Sequence, residues 1–529
     1  MMHRRDFLKQ CMFAAGSAAM VPVPGRTAPA LGNNGVRLSA GRKPPNIIFI
    51  LADDLGYGDL SCLNPGSKIS TPNLDRMASQ GMVFTDAHSG SAVCTPTRYG
   101  ILTGRYCWRS QLKKSVLWAW DTPLIEPDRL TVGDLLKKHG YSTACIGKWH
   151  LGWDWPTTDG SRINDQIALG QWETKNRNAF GRKVDFGRPI VNGPTTRGFD
   201  YYFGDDVPNF PPYCFIENDR TVGIPTEEKP DGMFGTPGPM LKGWQLDNVM
   251  PALTQKAVEY IKAEPAAKPF DKKGTSPFFL YFPLTAPHTP IAPAEAFQGT
   301  SKAGAYGDYV QQMDWTVGQI IKVLEQTHQA DNTLLIFTSD NGSPGRDGTN
   351  MSGPANSVRK YGHNPSFIYR GIKADIWEGG HRVAFIARWP GRITPGSQSN
   401  QTICLTDLTA TCADIMGEEL PTDAGEDSFS LLPYLLGTTH KGPRREAVVH
   451  HSISGLFAIR SGKWKLIDGA GSGGWSGKGD GLSGQLYDME ADPGEQNNLY
   501  DDPGHQHIVN RLKALLEKYK TQGRSRPIV

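Results

Sequence analysis

The sequence predicts an α/β fold: a large mixed, mainly parallel sheet sandwiched by helices, with a small C-terminal antiparallel sheet and helix. Three observations lead there. Short apolar runs end in polar or charged residues, the mark of buried strands with chemistry at their carboxyl ends. Helical stretches separate those runs, and strands alternating with helices give a parallel sheet covered on both faces. From about Arg444 the pattern changes to short strands without intervening helices.

The elements follow in chain order. Residues 1–30 are set aside first. His3-Arg4-Arg5-Asp6-Phe7-Leu8-Lys9, a weakly apolar stretch from Cys11 to Val23 and Ala28-Pro29-Ala30 read as a twin-arginine signal peptide cleaved after Ala30. Its partner is the twin-arginine export machinery, its destination the periplasm or the medium. A main domain over 31–440 follows, then a subdomain over 441–529. Within the main domain, Asn46 to Ala52 is a strand running into Asp53-Asp54, and Ser142 to Gly147 runs into Lys148-Trp149-His150. Phe278 to Phe282 runs into a turn holding His288, and Leu334 to Ser339 into Asp340-Asn341. Helices start at Thr71-Pro72 and stop at Gly81, start at Thr131 and stop at Gly140, and lie between Ala305 and Gln329. Ligands of such sheets gather beyond the carboxyl ends of the strands, where all four polar groups would converge.

The subdomain reads as strands at Ala447 to His451, Leu456 to Ile467 and Gln485 to Asp488. Ile508, Leu512, Leu515, Leu516 and Tyr519 share one face of a closing helix. Gly469 to Gly484 lacks the GxxxxGK[ST] order of a phosphate loop and reads as a flexible surface loop.

Composition narrows the function classes. A 529-residue chain with 38% apolar and 21% charged residues and a net charge of +3 has no basic field for nucleic acid. No segment beyond the leader is apolar enough to span a membrane. With Cys11 lost in the leader, seven cysteines remain, without CxxC spacing or His/Cys clustering, which argues against a zinc site. Folding before export, in a reducing compartment, argues against disulfides.

Chemistry is carried by short motifs. Cys94-Thr95-Pro96-Thr97-Arg98, followed by Thr103-Gly104-Arg105, has the spacing of the sulfatase signature, and here the chain resembles the sulfatase family. The resemblance runs motif by motif from Pro45 to Pro395 and again through Leu486 to Leu499, and implies the alkaline-phosphatase-like architecture. It implies that a maturation enzyme, the formylglycine-generating enzyme, oxidises Cys94 to formylglycine. Its hydrate carries two hydroxyls on one carbon. One attacks sulfur to give a covalent sulfo-enzyme, and the other collapses to the aldehyde and expels sulfate. Without the motif context, Cys94 reads as a small buried hydrophobe.

Such a nucleophile needs its proton removed and the sulfuryl oxygens screened. Asp53, Asp54, Asp340 and Asn341 make a mainly anionic oxygen cage, completed by residue 94, that suits calcium or magnesium rather than zinc. The resemblance favours calcium; taken alone, Asp53-Asp54-Leu55-Gly56 also reads as turn chemistry. Positive charge for sulfate comes from Arg98, Lys148 and Lys373. Lys148 and His150, two apart on an extended segment, would point to the same side. By resemblance both contact the hydrate, with His150 the base that triggers sulfate release. His288, in Ala286-Pro287-His288, would assist the departing alcohol together with Lys373, which would also bind sulfate. Lys373 opens an element in which Glu378-Gly379-Gly380 supports the site and Arg382 braces structure.

The substrate the resemblance implies is a sulfated glycan, of galactose or N-acetylgalactosamine 6-sulfate type. Asp206 and Asn209, in the insertion from Phe203 to Asp219 with Asp205, Phe210, Tyr213 and Phe215, and the tryptophans Trp118 and Trp120, combine polar groups and aromatic faces as a sugar pocket would, or as core aromatics would. Two rivals stand beside this: a phosphodiester or phosphonate monoester hydrolase of the same fold, and a catalytically silent binding protein.

Overall fold

The computed structural model describes residues 44–263, 276–439, 442–477 and 483–528. The expected signal peptide and its cleavage point lie outside the described residues.

The strand Asn46–Asp53 is buried along its whole length, which is why its sequence is a continuous apolar run without alternation. It lies near the middle of a ten-stranded sheet. Parallel neighbours flank it, Phe278–Pro287 on one side and Thr333–Ser339 on the other. Ser142–Ile146 pairs parallel with the former, and Tyr201–Gly204 parallel with Ser142–Ile146. Phe385–Arg388 pairs antiparallel with Thr333–Ser339, making the sheet mixed. All four strands carrying the predicted motifs are therefore co-oriented, and their carboxyl ends share one edge.

Alternate residues build two cores. Ile47, Phe49, Leu51, Phe279 and Tyr281 face one side with Tyr99, Leu102, Leu135 and Leu136. Ile48, Ile50, Leu280 and Phe282 face the other with Leu74, Met77, Leu253, Val310 and Val317. The second face is covered by the helices Pro72–Ser79, Val249–Ala263 and Gly304–Gln326. The first is covered by Cys94–Thr103, Val132–Lys138 and Leu408–Met416. The Thr131 hydroxyl accepts the Asp134 N–H at 3.1 Å, the capping expected where that helix starts.

The C-terminal sheet is an antiparallel meander of Val448–His451, Phe457–Ser461, Trp464–Ile467 and Gln485–Asp488. The single run expected at Leu456 to Ile467 is two strands, because Gly462 stands at φ 56° in the turn between them. The closing helix Gln506–Thr521 buries Ile508, Leu512, Leu515, Leu516 and Tyr519. Among the described residues no helix is long and apolar enough to cross a membrane. The cysteines at 62, 94, 107, 145, 214, 404 and 412 are all free.

Candidate active site

Cys94 is the first residue of the helix Cys94–Thr103, so it sits at the positive end of the helix dipole, which favours anions. That helix ends at Gly104, whose φ of 66° supplies the left-handed cap, explaining the glycine of the TGR extension. Cys94 is 3% exposed, lies beside Val93, Val116 and Ala374, and has its sulfur within 4.8 Å of carboxylate oxygens of Asp53 and Asp340.

Those carboxylates interlock with cations. Lys148 Nζ donates to Asp53 Oδ2 at 2.6 Å. Arg98 donates to Asp340 Oδ2 at 2.8 Å, stands 3.5 Å from Asp53 Oδ2, and reaches the Lys148 carbonyl at 3.1 Å. Lys373 Nζ donates to Asp54 Oδ2 at 2.8 Å, and Asn341 Nδ2 to Asp54 Oδ1 at 2.7 Å. Burial alone would raise the Asp53 carboxyl, but Lys148, His288 and Arg98 outweigh it and hold it far below the usual range. Burial and then the adjacent Asp53 push Asp340 up. For Lys373 burial favours the neutral amine, yet Asp54 and its fellow acids win and hold the ammonium charged.

Three carboxyl groups thus face three side-chain cations. Two buried oxygens, Asp53 Oδ1 and Asn341 Oδ1, have no hydrogen-bond partner, although an unpaired buried acceptor costs about 1–3 kcal/mol. A hard divalent cation held by Asp53, Asp54, Asp340 and Asn341 fits that donor set. It would leave the site positive, as binding a sulfate ester demands.

His150 donates through Nε2 to the Leu117 carbonyl at 2.9 Å, which leaves Nδ1 buried as a partnerless acceptor. Burial, then the Lys148 charge, lower its pKa to about 3. Lys148 and His150 do come together, but not on an extended segment. The strand stops at Ile146, Gly147 takes φ 128° and His150 φ 54°. His288 directly follows its strand, which runs on to Pro287 instead of turning after Phe282. Its Nδ1 donates to the Thr289 carbonyl at 2.5 Å, and its Nε2 lies 3.8 Å from Asp54 Oδ2. Burial also brings its pKa to about 3, with Asp53 opposing and Lys148 and Lys373 assisting. Asp54 at φ 67°, His150 at 54° and Ala374 at 79° are left-handed without being glycine, each a strain of about 1–3 kcal/mol concentrated here.

The ten predicted catalytic and metal residues therefore meet at one sheet edge. The predicted substrate residues part company. Asp206 is buried, accepting the His150 backbone N–H and the Trp153 indole N–H, both at 3.1 Å, so it fixes the backbone at His150. Burial raises the Asp206 carboxyl, and that of Asp205 to about 7. Asn209 is half-buried with Oδ1 partnerless. Trp120, Phe210 and Tyr213 belong to the core, whereas Trp118 is half-buried against Trp172. Sequence carried no sign of the Leu117 carbonyl that sets the His150 tautomer, since a backbone acceptor has no residue signature. It equally concealed Asp375, which hydrogen-bonds Ile372 N at 2.9 Å and braces the Lys373 loop.

Known proteins resemble this chain over most of its length. Residues 45–418 match the Sulfatase family, and residues 373–522 the C-terminal part of N-sulphoglucosamine sulphohydrolase. The chain is 34% identical to an N-acetylgalactosamine-6-O-sulfatase of Bacteroides thetaiotaomicron, over 90% of this chain and 93% of that one. It is 32% identical to the human N-acetylgalactosamine-6-sulfatase, over 76% of this chain and 68% of the relative. A solved structure reported with the metabolism of multiple glycosaminoglycans by Bacteroides thetaiotaomicron superposes with a TM-score of 0.75 at 32% identity, covering 91% of this chain and all of that one. A sulfatase from Pseudoalteromonas sp. gives 0.66 at 25%, covering 92% of each chain. With cage, cations and signature assembled around Cys94, the chain belongs to the sulfatase family and is a sulfuric ester hydrolase.

Proposed function

We propose that this enzyme removes sulfate from a sulfated carbohydrate of N-acetylgalactosamine 6-sulfate type, with Cys94 matured to formylglycine and calcium in the oxygen cage. The observation that carries the mechanism is the convergence of Cys94 with three carboxylates and three cations at one sheet edge. The relatives' substrates support the sugar: an N-acetylgalactosamine-6-O-sulfatase is 34% identical over 90% of the chain.

Matured residue 94 supplies a hydrated aldehyde, one hydroxyl to attack sulfur and one to expel sulfate. Calcium bound by Asp53, Asp54, Asp340 and Asn341 supplies charge that screens the sulfuryl oxygens. The other roles fall to the chain's own side chains. Lys148 and Lys373 hold sulfate oxygens. Arg98, hydrogen-bonded to Asp340 and to the Lys148 carbonyl, holds the cage and the Lys148 segment in register. His150, neutral through burial and with Nδ1 open, accepts the proton whose removal releases sulfate. His288 is neutral while the site is empty of substrate. An incoming sulfate monoanion favours its protonated form, so it gains with the substrate the proton it gives to the leaving alcohol.

The first thirty residues carry the export reading. Maturation would precede export, because residue 94 is buried once the chain folds. Sequencing the mature N-terminus should find Leu31 first.

The test is turnover of defined sulfated saccharides by enzyme made in a host able to mature sulfatases, with mass spectrometry of the Cys94 peptide. The expected result is an aldehyde at position 94 and release of sulfate from N-acetylgalactosamine 6-sulfate. Faster turnover of matched phosphate esters, or unmodified Cys94 in active enzyme, would overturn it.

A further inference from the structure

The glycine-rich stretch expected to be a loose surface loop is pinned, over its described part, to the active site. Asp375, fully buried, accepts the N–H of Trp475 at 2.8 Å and of Ser476 at 3.0 Å through one oxygen. Its other oxygen takes the Ile372 N–H at 2.9 Å and the Ser476 hydroxyl. Ile376 N donates to the Ser472 carbonyl at 2.8 Å. Gly474 runs so close to this loop that a Cβ would stand 2.4 Å from the Ala374 carbonyl oxygen, so only glycine fits. One carboxylate thereby clamps two loops, one presenting Lys373 and the other Trp475.

Held this way, Trp475 keeps 45% of its surface exposed, the opposite of what an indole does when it serves packing. Lys373 Nζ lies 6.0 Å from the centre of its ring, and the Arg346 guanidinium also 6.0 Å. Lys373 is the cation hydrogen-bonded to Asp54 in the cage. A half-exposed indole thus stands beside Lys373 and Arg346, next to the cage.

The geometry points to Trp475 as the platform on which the pyranose ring of the sulfated substrate stacks, an inference that rests on the carbohydrate reading above. An indole face suits the apolar C–H face of a sugar, as half-exposed aromatic surface beside a few polar groups characterises ligand sites. A 6-sulfate sets the ring one methylene beyond the ester oxygen, so sulfate on Lys373 brings the ring over the neighbouring indole. Arg346 adds positive charge to the platform, which suits an anionic glycan.

The test compares mature wild type, Trp475→Ala and Trp475→Phe on N-acetylgalactosamine 6-sulfate, with inorganic sulfate as inhibitor of each. The loop is anchored by backbone groups and the Ser476 hydroxyl, none of them part of the indole, so both variants should fold with an unchanged melting midpoint and unchanged sulfate inhibition. Trp475→Ala should lose about tenfold in kcat/KM, mainly through KM, equivalent to about 1.4 kcal/mol, and Trp475→Phe should recover most of it. Wild type active on the saccharide with Trp475→Ala within about twofold, close to 0.4 kcal/mol, would overturn the platform and leave the proposed function standing. Wild type inactive on sulfated saccharides yet active on aryl sulfates would overturn both.

Discussion

At the scale of single residues, the site works by paired charges in which each cation answers a carboxylate. Lys373 is the most exposed of the three cations, its side chain 7% accessible against 0% for Arg98 and Lys148, so it is the one that can turn from Asp54 toward substrate. Lys373→Ala should lower kcat/KM by about 10²–10³, the usual loss when one donor to developing charge is removed, and weaken sulfate inhibition. Lys373→Arg should not restore the rate, because a planar fork replaces a point charge. Retained activity in Lys373→Ala would show that Lys373 holds no sulfate oxygen, and retained activity in Lys373→Arg that the site needs a charge there but not a point charge. A second residue sets a pH dependence. His451 is buried, donates Nδ1–H to the Ser452 carbonyl at 3.1 Å and leaves Nε2 partnerless, and burial lowers its pKa to about 4. Between about pH 6.5 and 4 the unfolded chain binds a proton at this position that the folded chain does not. Its contribution to stability is therefore full above about pH 6.5 and is lost as pH falls, at about 1.4 kcal/mol per unit. In denaturation series from pH 7 to 4.5, His451→Asn should gain on wild type by that slope. Parallel curves would contradict it.

At the scale of elements, strand ends create the site, and here legibility in the sequence divides sharply. Apolar runs ending in Asp53-Asp54, Lys148, His288 and Asp340-Asn341 were readable because a strand buried on both faces leaves no alternation and its polar terminus stands out. The backbone between them was not. Lys148 reaches Asp53 because Gly147 takes φ 128° where a Cβ would lie 1.9 Å from the Pro283 carbonyl oxygen, a fact of spatial neighbours that no local pattern records. The same limit hid the pinning of the glycine-rich loop: Asp375 and Trp475 are 100 residues apart in sequence. Aromatics of the insertion were ambiguous because pocket and core draw on one residue set, and only packing sent Phe210 and Tyr213 inward. Gly147→Ala should therefore act on stability and chemistry together. Left-handed strain and the clash would cost roughly 1–3 kcal/mol or more and move Lys148 off Asp53, lowering kcat well beyond the loss in melting midpoint. A variant with wild-type kcat would show that the strand end tolerates a shift.

At the scale of the whole molecule, the C-terminal sheet is part of the site's foundation, although the break in sequence pattern near Arg444 suggests a separable subdomain. Apolar contact is continuous across the join, with Tyr106, Trp108 and Cys404 packed among Val448, Ile459, Leu466 and Leu512. Buried charges cross it too. Arg460 meets Asp86 at 3.2 Å, and Lys465 meets Glu378 at 3.1 Å and Glu495 at 2.7 Å. The backbone completes the connection, since Ala92, two residues before Cys94, donates to the His451 carbonyl at 3.0 Å. Ile453 donates to the Ala374 carbonyl at 3.1 Å, beside Lys373. Removing the sheet would strip partners from Asp86 and Glu378 inside the protein, where losing one member of a buried pair costs about 3–5 kcal/mol, and would leave the segments flanking Cys94 and Lys373 without their hydrogen bonds. A single domain is stable by only about 5–15 kcal/mol, so losses of this size consume the margin. We therefore predict that a chain ending at residue 440 gives no cooperative melt and no sulfate release. Lys465→Met in the full chain should lower stability by about 3–5 kcal/mol, because it leaves the buried Glu495 without its cation and Glu378 with Arg382 as its nearest one. A soluble 31–440 fragment that melts cooperatively and turns over a sulfate ester would show instead that the sheet is an appendage and that the foundation lies wholly in the main domain.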